Sequence, residues 1–129
     1  MKGFAHHWKE GRHYDLWSIT HTLSGVVLAS ILFYFDMDLV LAFVIATMLF
    51  VGWEAVEVAL GIKEHTANMI MDVVFDFLGF LVVLYFYLWL DMSIQLSAII
   101  YSAIAFLIFN AWGFLAHKKR VRNGESHLQ

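Results

Sequence analysis

The sequence predicts an all-α fold, a polytopic membrane protein of four transmembrane helices, and three observations carry that expectation. Of the 129 residues, 61% are hydrophobic and 15% charged, and the mean hydropathy is +0.72, more apolar than a water-soluble domain of this length. The apolar residues gather into four runs, each long enough at about 1.5 Å per residue to cross a hydrocarbon core of about 30 Å. Lys2, Lys9 and Arg12 precede the first run, Lys63 lies between the second and third, and Lys118, Lys119, Arg120 and Arg122 follow the fourth. All the basic residues thus fall on one side of a four-span chain, which the positive-inside rule makes the cytoplasm, with both termini there.

Residues 1–13 hold His6, His7, Trp8, Lys9 and Arg12, the make-up of a short segment lying at the headgroup interface. The charged-then-apolar layout of a cleaved signal is not there, so this segment is expected to be retained. The first span, 14–35, is polar on one side of its first half, with Ser18, His21 and Gly25, and purely apolar in its second half. An acidic turn of Asp36, Met37 and Asp38 leads into the second span, 39–61, which Gly61 is placed to end. After a short connection with Thr66 as its expected N-cap, the third span, 67–90, closes on the aromatic run YFYLWL of an interfacial belt. The fourth span, 94–116, runs into a basic, mobile tail, 117–129. The whole is one transmembrane domain.

The chain has no cysteine and no proline. Disulfides, thiolate metal sites and cysteine nucleophiles are thereby excluded within it. A formal net charge of −3, much of it intramembrane, offers nothing to nucleic acid. The expected partners are the bilayer, a homo-oligomer or a larger membrane partner.

Four carboxylates stand out against this apolar background. Glu54 and Glu57 are three apart near the end of the second span, and Asn68, Asp72 and Asp76 are four apart near the start of the third. Each set lines one helix face, and the two spans are expected to bring those faces together as an antiparallel hairpin. Carboxylates facing lipid would cost about 2.5–3.5 kcal/mol each, so they are expected to face inward. Counting from the cytoplasmic helix ends puts His21, Glu54, Asp72 and Asn110 all at roughly 10 Å depth, with Glu57 shallower and Asp76 deeper. The outer half of every span is aliphatic or aromatic. Polar residues do glue membrane helices, at about 0.6 kcal/mol on average, and a lone Asn110 fits that role. Four acids exceed what glue requires. Ionised together at low dielectric they would repel, so either some hold protons or a cation sits among them. Gly25, Gly52 and Gly79 are expected to let helices approach closely.

His21-Thr-Leu-Ser-Gly25, Trp53-Glu54-Ala-Val-Glu57 and Asp72-x3-Asp76-x2-Gly79 together resemble the small VanZ-like membrane proteins and their YjdF-type relatives over roughly residues 15–80. Two departures are visible: Trp17 stands where the family carries an Asp, and no Arg precedes the acid of the third span. The resemblance implies a bacterial cytoplasmic (inner) membrane protein connected with the cell envelope, and it implies no particular reaction.

Three functional readings stay open on the residues. In the first, His21, Glu54, Asp72 and Asp76 ligate a divalent metal, and Glu57 acts as general base in hydrolysis or transfer on a lipid or envelope precursor. Mg²⁺, Mn²⁺, Zn²⁺ or iron would suit such ligands. A di-iron bundle would call for E-x2-H pairs, which E-x2-E does not supply. In the second, the same groups carry protons or a cation, or recognise a headgroup, in a small carrier or accessory subunit. The third is a membrane assembly scaffold.

Overall fold

The computed structural model describes residues 16–61 and 65–122. It contains four helices, α1 (Leu16–Tyr34), α2 (Leu39–Ala59), α3 (Thr66–Trp89) and α4 (Leu96–Arg122), with no strand among the described residues. All four are long and apolar enough to cross a membrane. Val40, Met48, Leu60, Tyr101, Leu107 and Phe114 are among the exposed side chains. Lipid tails solvate such a surface, and a helix satisfies its own backbone polar groups within the hydrocarbon.

The helix ends follow local chemistry. Asp38 caps α2, its Oδ1 accepting the Leu41 N–H at 3.1 Å. Gly61 closes the same helix at φ 77°, donating its N–H to the Val58 carbonyl at 3.0 Å, as the sequence suggested. At α3 the cap differs from expectation: Thr66 is the first helical residue, and His65 stands in the cap position without a side-chain cap bond. The His65 carbonyl itself takes the Asn68 and Met69 N–H groups, at 2.8 and 3.2 Å, so the first turn closes through backbone alone. The fourth helix does not stop at 116 but continues to Arg122. Lys and Arg are good helix formers, and their charge suits the C-terminal carbonyls, so the basic run extends the helix. Residues 1–15, 62–64 and 123–129, on which the interfacial segment, the start of the first span, four of the topology charges and the end of the tail were placed, lie outside the described residues.

The bundle is organised around α1 and its contact with α3. A Cβ added at Gly25 would sit 1.8 Å from the Asp76 carbonyl oxygen, and one added at Gly79 would sit 1.9 Å from that of Thr22. The two backbones therefore touch, which glycine alone permits. About two turns further along each helix, Phe33 stacks on Tyr87 at 4.9 Å, so α1 and α3 run side by side in the same direction. The expected hairpin of the second and third spans is not the main pairing, because α2 approaches α3 and α1 only lightly. Gly52 explains part of this: nothing lies within 4 Å of where its Cβ would be, so it interlocks with no neighbour as had been expected. Instead α2 lays Ala42, Ala46, Phe50 and Glu54 against the pair, one residue for each turn. The fourth helix packs along α1 and closely approaches neither α2 nor α3 among the described residues.

The core lies toward one end. Phe33 meets Phe80 at 5.6 Å between ring centres, Phe43 meets Phe80 at 5.1 Å and Phe50 meets Phe77 at 5.1 Å, with Ala29, Ala42 and Ala46 filling between them. Tyr87 donates its hydroxyl to Asp36 Oδ1 at 2.9 Å, tying the end of α3 to the turn between α1 and α2. That turn carries Asp36 at φ 51°, a left-handed conformation that Asp tolerates better than most residues. The opposite end of the α1–α3 seam is polar.

Candidate functional site

Below Gly25 and Gly79 the face that buries Ala29 and Phe33 presents His21 and Ser24 on α1, and the face that buries Phe80 presents Asn68, Asp72 and Asp76 on α3. Steps of three and four residues keep each set on one side of its helix. The glycine contact sets the spacing between them. Asn68, Asp72 and Asp76 are each only 2% exposed.

The imidazole stands between two carboxylates. His21 Nδ1 lies 3.0 Å from Asp76 Oδ2, a hydrogen bond in which the ring N–H donates when Asp76 is ionised. The other ring nitrogen, Nε2, points toward Asp72 Oδ2 at 3.9 Å, too long for a hydrogen bond. Asn68 Nδ2 donates to the same Asp72 oxygen at 3.0 Å and so fixes the carboxylate from its far side. The Ser24 hydroxyl lies against both the His21 carbonyl oxygen, at 2.8 Å, and Asp76 Oδ1. Its one proton serves one acceptor at a time, and when it turns to Asp76 the carboxylate accepts from both Ser24 and His21.

Glu54 enters from α2. It is buried, and one ligand atom each from His21, Glu54 and Asp72 lie within 4.8 Å of one another. At that separation two ionised carboxylates repel by about 3.5 kcal/mol at an effective dielectric of about 20. The average polar contact between membrane helices contributes about 0.6 kcal/mol, so the arrangement is poor glue for two charged acids. A proton or a cation shared among them reverses the sign of the interaction.

Of the residues proposed from sequence as metal ligands, the structure gathers His21, Glu54 and Asp72 into one group. It places Asp76 on the far ring nitrogen, where a carboxylate orients a histidine. Glu57, the proposed base, is half-buried one turn along α2 and accepts the Trp53 indole N–H at 2.8 Å, outside that group. Asn110 donates to the carbonyl of Phe106 in its own helix at 2.9 Å and takes no part. Ser24 was not singled out in the sequence. Its position three residues after His21 and one before Gly25 was the available signal, and a lone serine in a membrane helix is too common to read.

No protein family, curated protein or solved structure is matched by the chain.

Proposed function

We propose that this protein holds a divalent cation within the membrane, through His21 Nε2 and the carboxylates of Glu54 and Asp72, and uses it in hydrolysis or group transfer on a lipid or envelope precursor. The observation that carries the reading is that one ligand atom each from His21, Glu54 and Asp72 converge within 4.8 Å while Asp76 lies at His21 Nδ1. A histidine that donates Nδ1–H to a carboxylate presents its Nε2 lone pair, the usual ligand state, and the carboxylate strengthens it. Imidazole with two carboxylates suits Zn²⁺, Mn²⁺ or iron, and three protein ligands leave a position for water or substrate. Bound there, the ion would supply Lewis-acid polarisation and an activated water. Asn68 holds Asp72 in place, and Ser24 holds Asp76. To act as base, Glu57 would have to leave Trp53.

The envelope substrate rests on the resemblance to VanZ-like proteins, as does placement in a bacterial inner membrane. Cytoplasmic termini rest on the basic residues. A second reading, proton or cation relay without chemistry, is favoured by the bonded run His21–Asp76–Ser24, with Asp72 at 3.9 Å from the other ring nitrogen.

Elemental analysis of detergent-purified protein, dialysed against Zn²⁺ or Mn²⁺ and then desalted, tests the proposal. Stoichiometric metal in the wild type and its loss in His21→Ala and Asp72→Asn are expected. Metal absent from the wild type would leave the relay as the better reading.

A further inference from the structure

We propose that Ser24 is a nucleophile whose proton passes to Asp76, and that the group transferred is the acyl chain of a lipid ester, carried in passing on Ser24 Oγ. This rests on the hydrolysis or transfer reading above and names its substrate class and its covalent step. The atoms it uses, Ser24 Oγ, the Asp76 carboxylate and His21 Nδ1, are other than those proposed to ligate the ion.

A hydroxyl on a membrane helix commonly gives its proton to the backbone one turn back. Thr22 donates to the Ser18 carbonyl at 2.9 Å, Thr47 to that of Phe43 at 2.8 Å and Ser102 to that of Ile99 at 3.1 Å. Ser24 has the same outlet, the His21 carbonyl at 2.8 Å, and in addition a carboxylate of the facing helix, Asp76 Oδ1. Packing sets that second contact. Gly25, the next residue, brings the α1 backbone onto the Asp76 carbonyl, so the hydroxyl and the carboxylate are held side by side. Asp76 is 2% exposed whereas Ser24 is half-buried, so the base is shielded and the nucleophile is within reach of a substrate. His21 Nδ1, 3.0 Å from Asp76 Oδ2, fixes the carboxylate with its other oxygen on Ser24. A hydroxyl within hydrogen-bond reach of a base that a third group orients is the arrangement of an activated nucleophile.

In the first half of the transfer, Ser24 Oγ bonds to the ester carbonyl carbon while its proton passes to Asp76 Oδ1. The bond from that carbon to the alcohol oxygen breaks, and Asp76 gives the proton to the departing oxygen. Oδ2 remains an acceptor for His21 throughout. Water or an acceptor alcohol then attacks the acyl group on Ser24, its proton passes to Asp76, and Ser24 Oγ takes that proton as it leaves. The acyl class follows from depth. Ser24 lies three residues, about 4.5 Å, deeper than His21, near the middle of a core of about 30 Å. An uncharged acyl ester reaches that level at far lower cost than a phosphate.

Hexadecyl fluorophosphonate, which phosphonylates activated serines with loss of fluoride, is the probe, applied to detergent-purified protein whose Zn²⁺ content is measured alongside and mapped by mass spectrometry. One adduct is expected, on Ser24 and not on Thr22 or Ser102, absent from Ser24→Ala and formed roughly 100-fold more slowly in Asp76→Asn. The map of the wild type needs no variant to fold. p-Nitrophenyl palmitate tests the acyl class, through a stoichiometric burst of nitrophenol that Ser24→Ala abolishes. Protein that retains Zn²⁺ but takes no adduct on Ser24, or takes it equally fast in Asp76→Asn, would overturn the nucleophile and leave the ion site standing. An adduct on Ser24 in protein that binds no Zn²⁺ would support the nucleophile and remove the ion. An adduct without the palmitate burst would overturn the acyl class, and neither adduct nor Zn²⁺ would overturn both readings.

Discussion

The α1–α3 seam has two ends built from different chemistry. At one, Phe33, Phe80 and Tyr87 stack around Ala29 and Val83; at the other, His21 and Ser24 meet Asn68, Asp72 and Asp76. The aromatic end, with the glycine contact beside it, already holds the two helices together by close packing. The polar end crosses the same seam through the bonds of His21 and Ser24 to Asp76, and it brings Glu54 and Asp72 close enough to repel if both are charged. Close packing accounts for the aromatic end; the acids of the polar end, costly if charged together, are what the proposed cation accounts for.

The contrast can be broken at its centre or sharpened at either end. The largest effect is expected from Gly25→Leu: its Cβ would overlap the Asp76 backbone, so α1 and α3 must separate and both ends fail together. A loss of about 3 kcal/mol, the upper range for overpacking, is expected, read as loss of the monodisperse species in detergent. Next comes Phe80→Ala, which empties the middle of the aromatic end. Because Phe80 is fully buried, a cost of about 3 kcal/mol is expected in a reversible unfolding titration, with Zn²⁺ binding retained by the molecules that remain folded.

The polar end should answer differently. Glu54→Gln keeps the shape and removes one charge, so the metal-free protein should be as stable as wild type or more so, while Zn²⁺ binding is lost. Lower pH should act in the same direction on binding, because protons compete with the ion for the same imidazole and carboxylate atoms. A stabilisation by Zn²⁺ present at pH 7 is therefore expected to shrink toward pH 5, as melting curves at the two pH values would show. The smallest effects are expected at Asn110→Ala and Gly52→Ala, each within about 0.5 kcal/mol of wild type, since one side chain bonds within its own helix and the other position is open.

How much of this was legible in the sequence follows from what is local and what is not. Four spans, the Asp38–Gly61 limits of α2 and the one-sided polar residues are set by hydropathy and by cap chemistry within a few residues, and they could be read. Partner choice among the helices could not. Glu54 and Asp72 suggested a hairpin of neighbours, but the pairing was decided by which glycines meet backbone: Gly25 and Gly79 do, and Gly52 does not. The site shared this limit. His21, Glu54, Asp72 and Asp76 were recognisable as intramembrane polar residues, but whether Asp76 lies with the ligand group or behind the histidine depends on the α1–α3 offset, which no spacing within one helix contains.

The central claim is that the polar end exists to hold a cation and does not exist to glue α1 to α3. Thermal unfolding in detergent at pH 7, of wild type and Asp72→Asn with and without Zn²⁺, tests it most directly. The account predicts that Zn²⁺ raises the wild-type Tm, that Asp72→Asn without metal melts at or above the metal-free wild type, and that Zn²⁺ leaves the variant unmoved. A wild type indifferent to every divalent metal, together with an Asp72→Asn protein that unfolds outright, would contradict it and make the acids structural contacts of the seam.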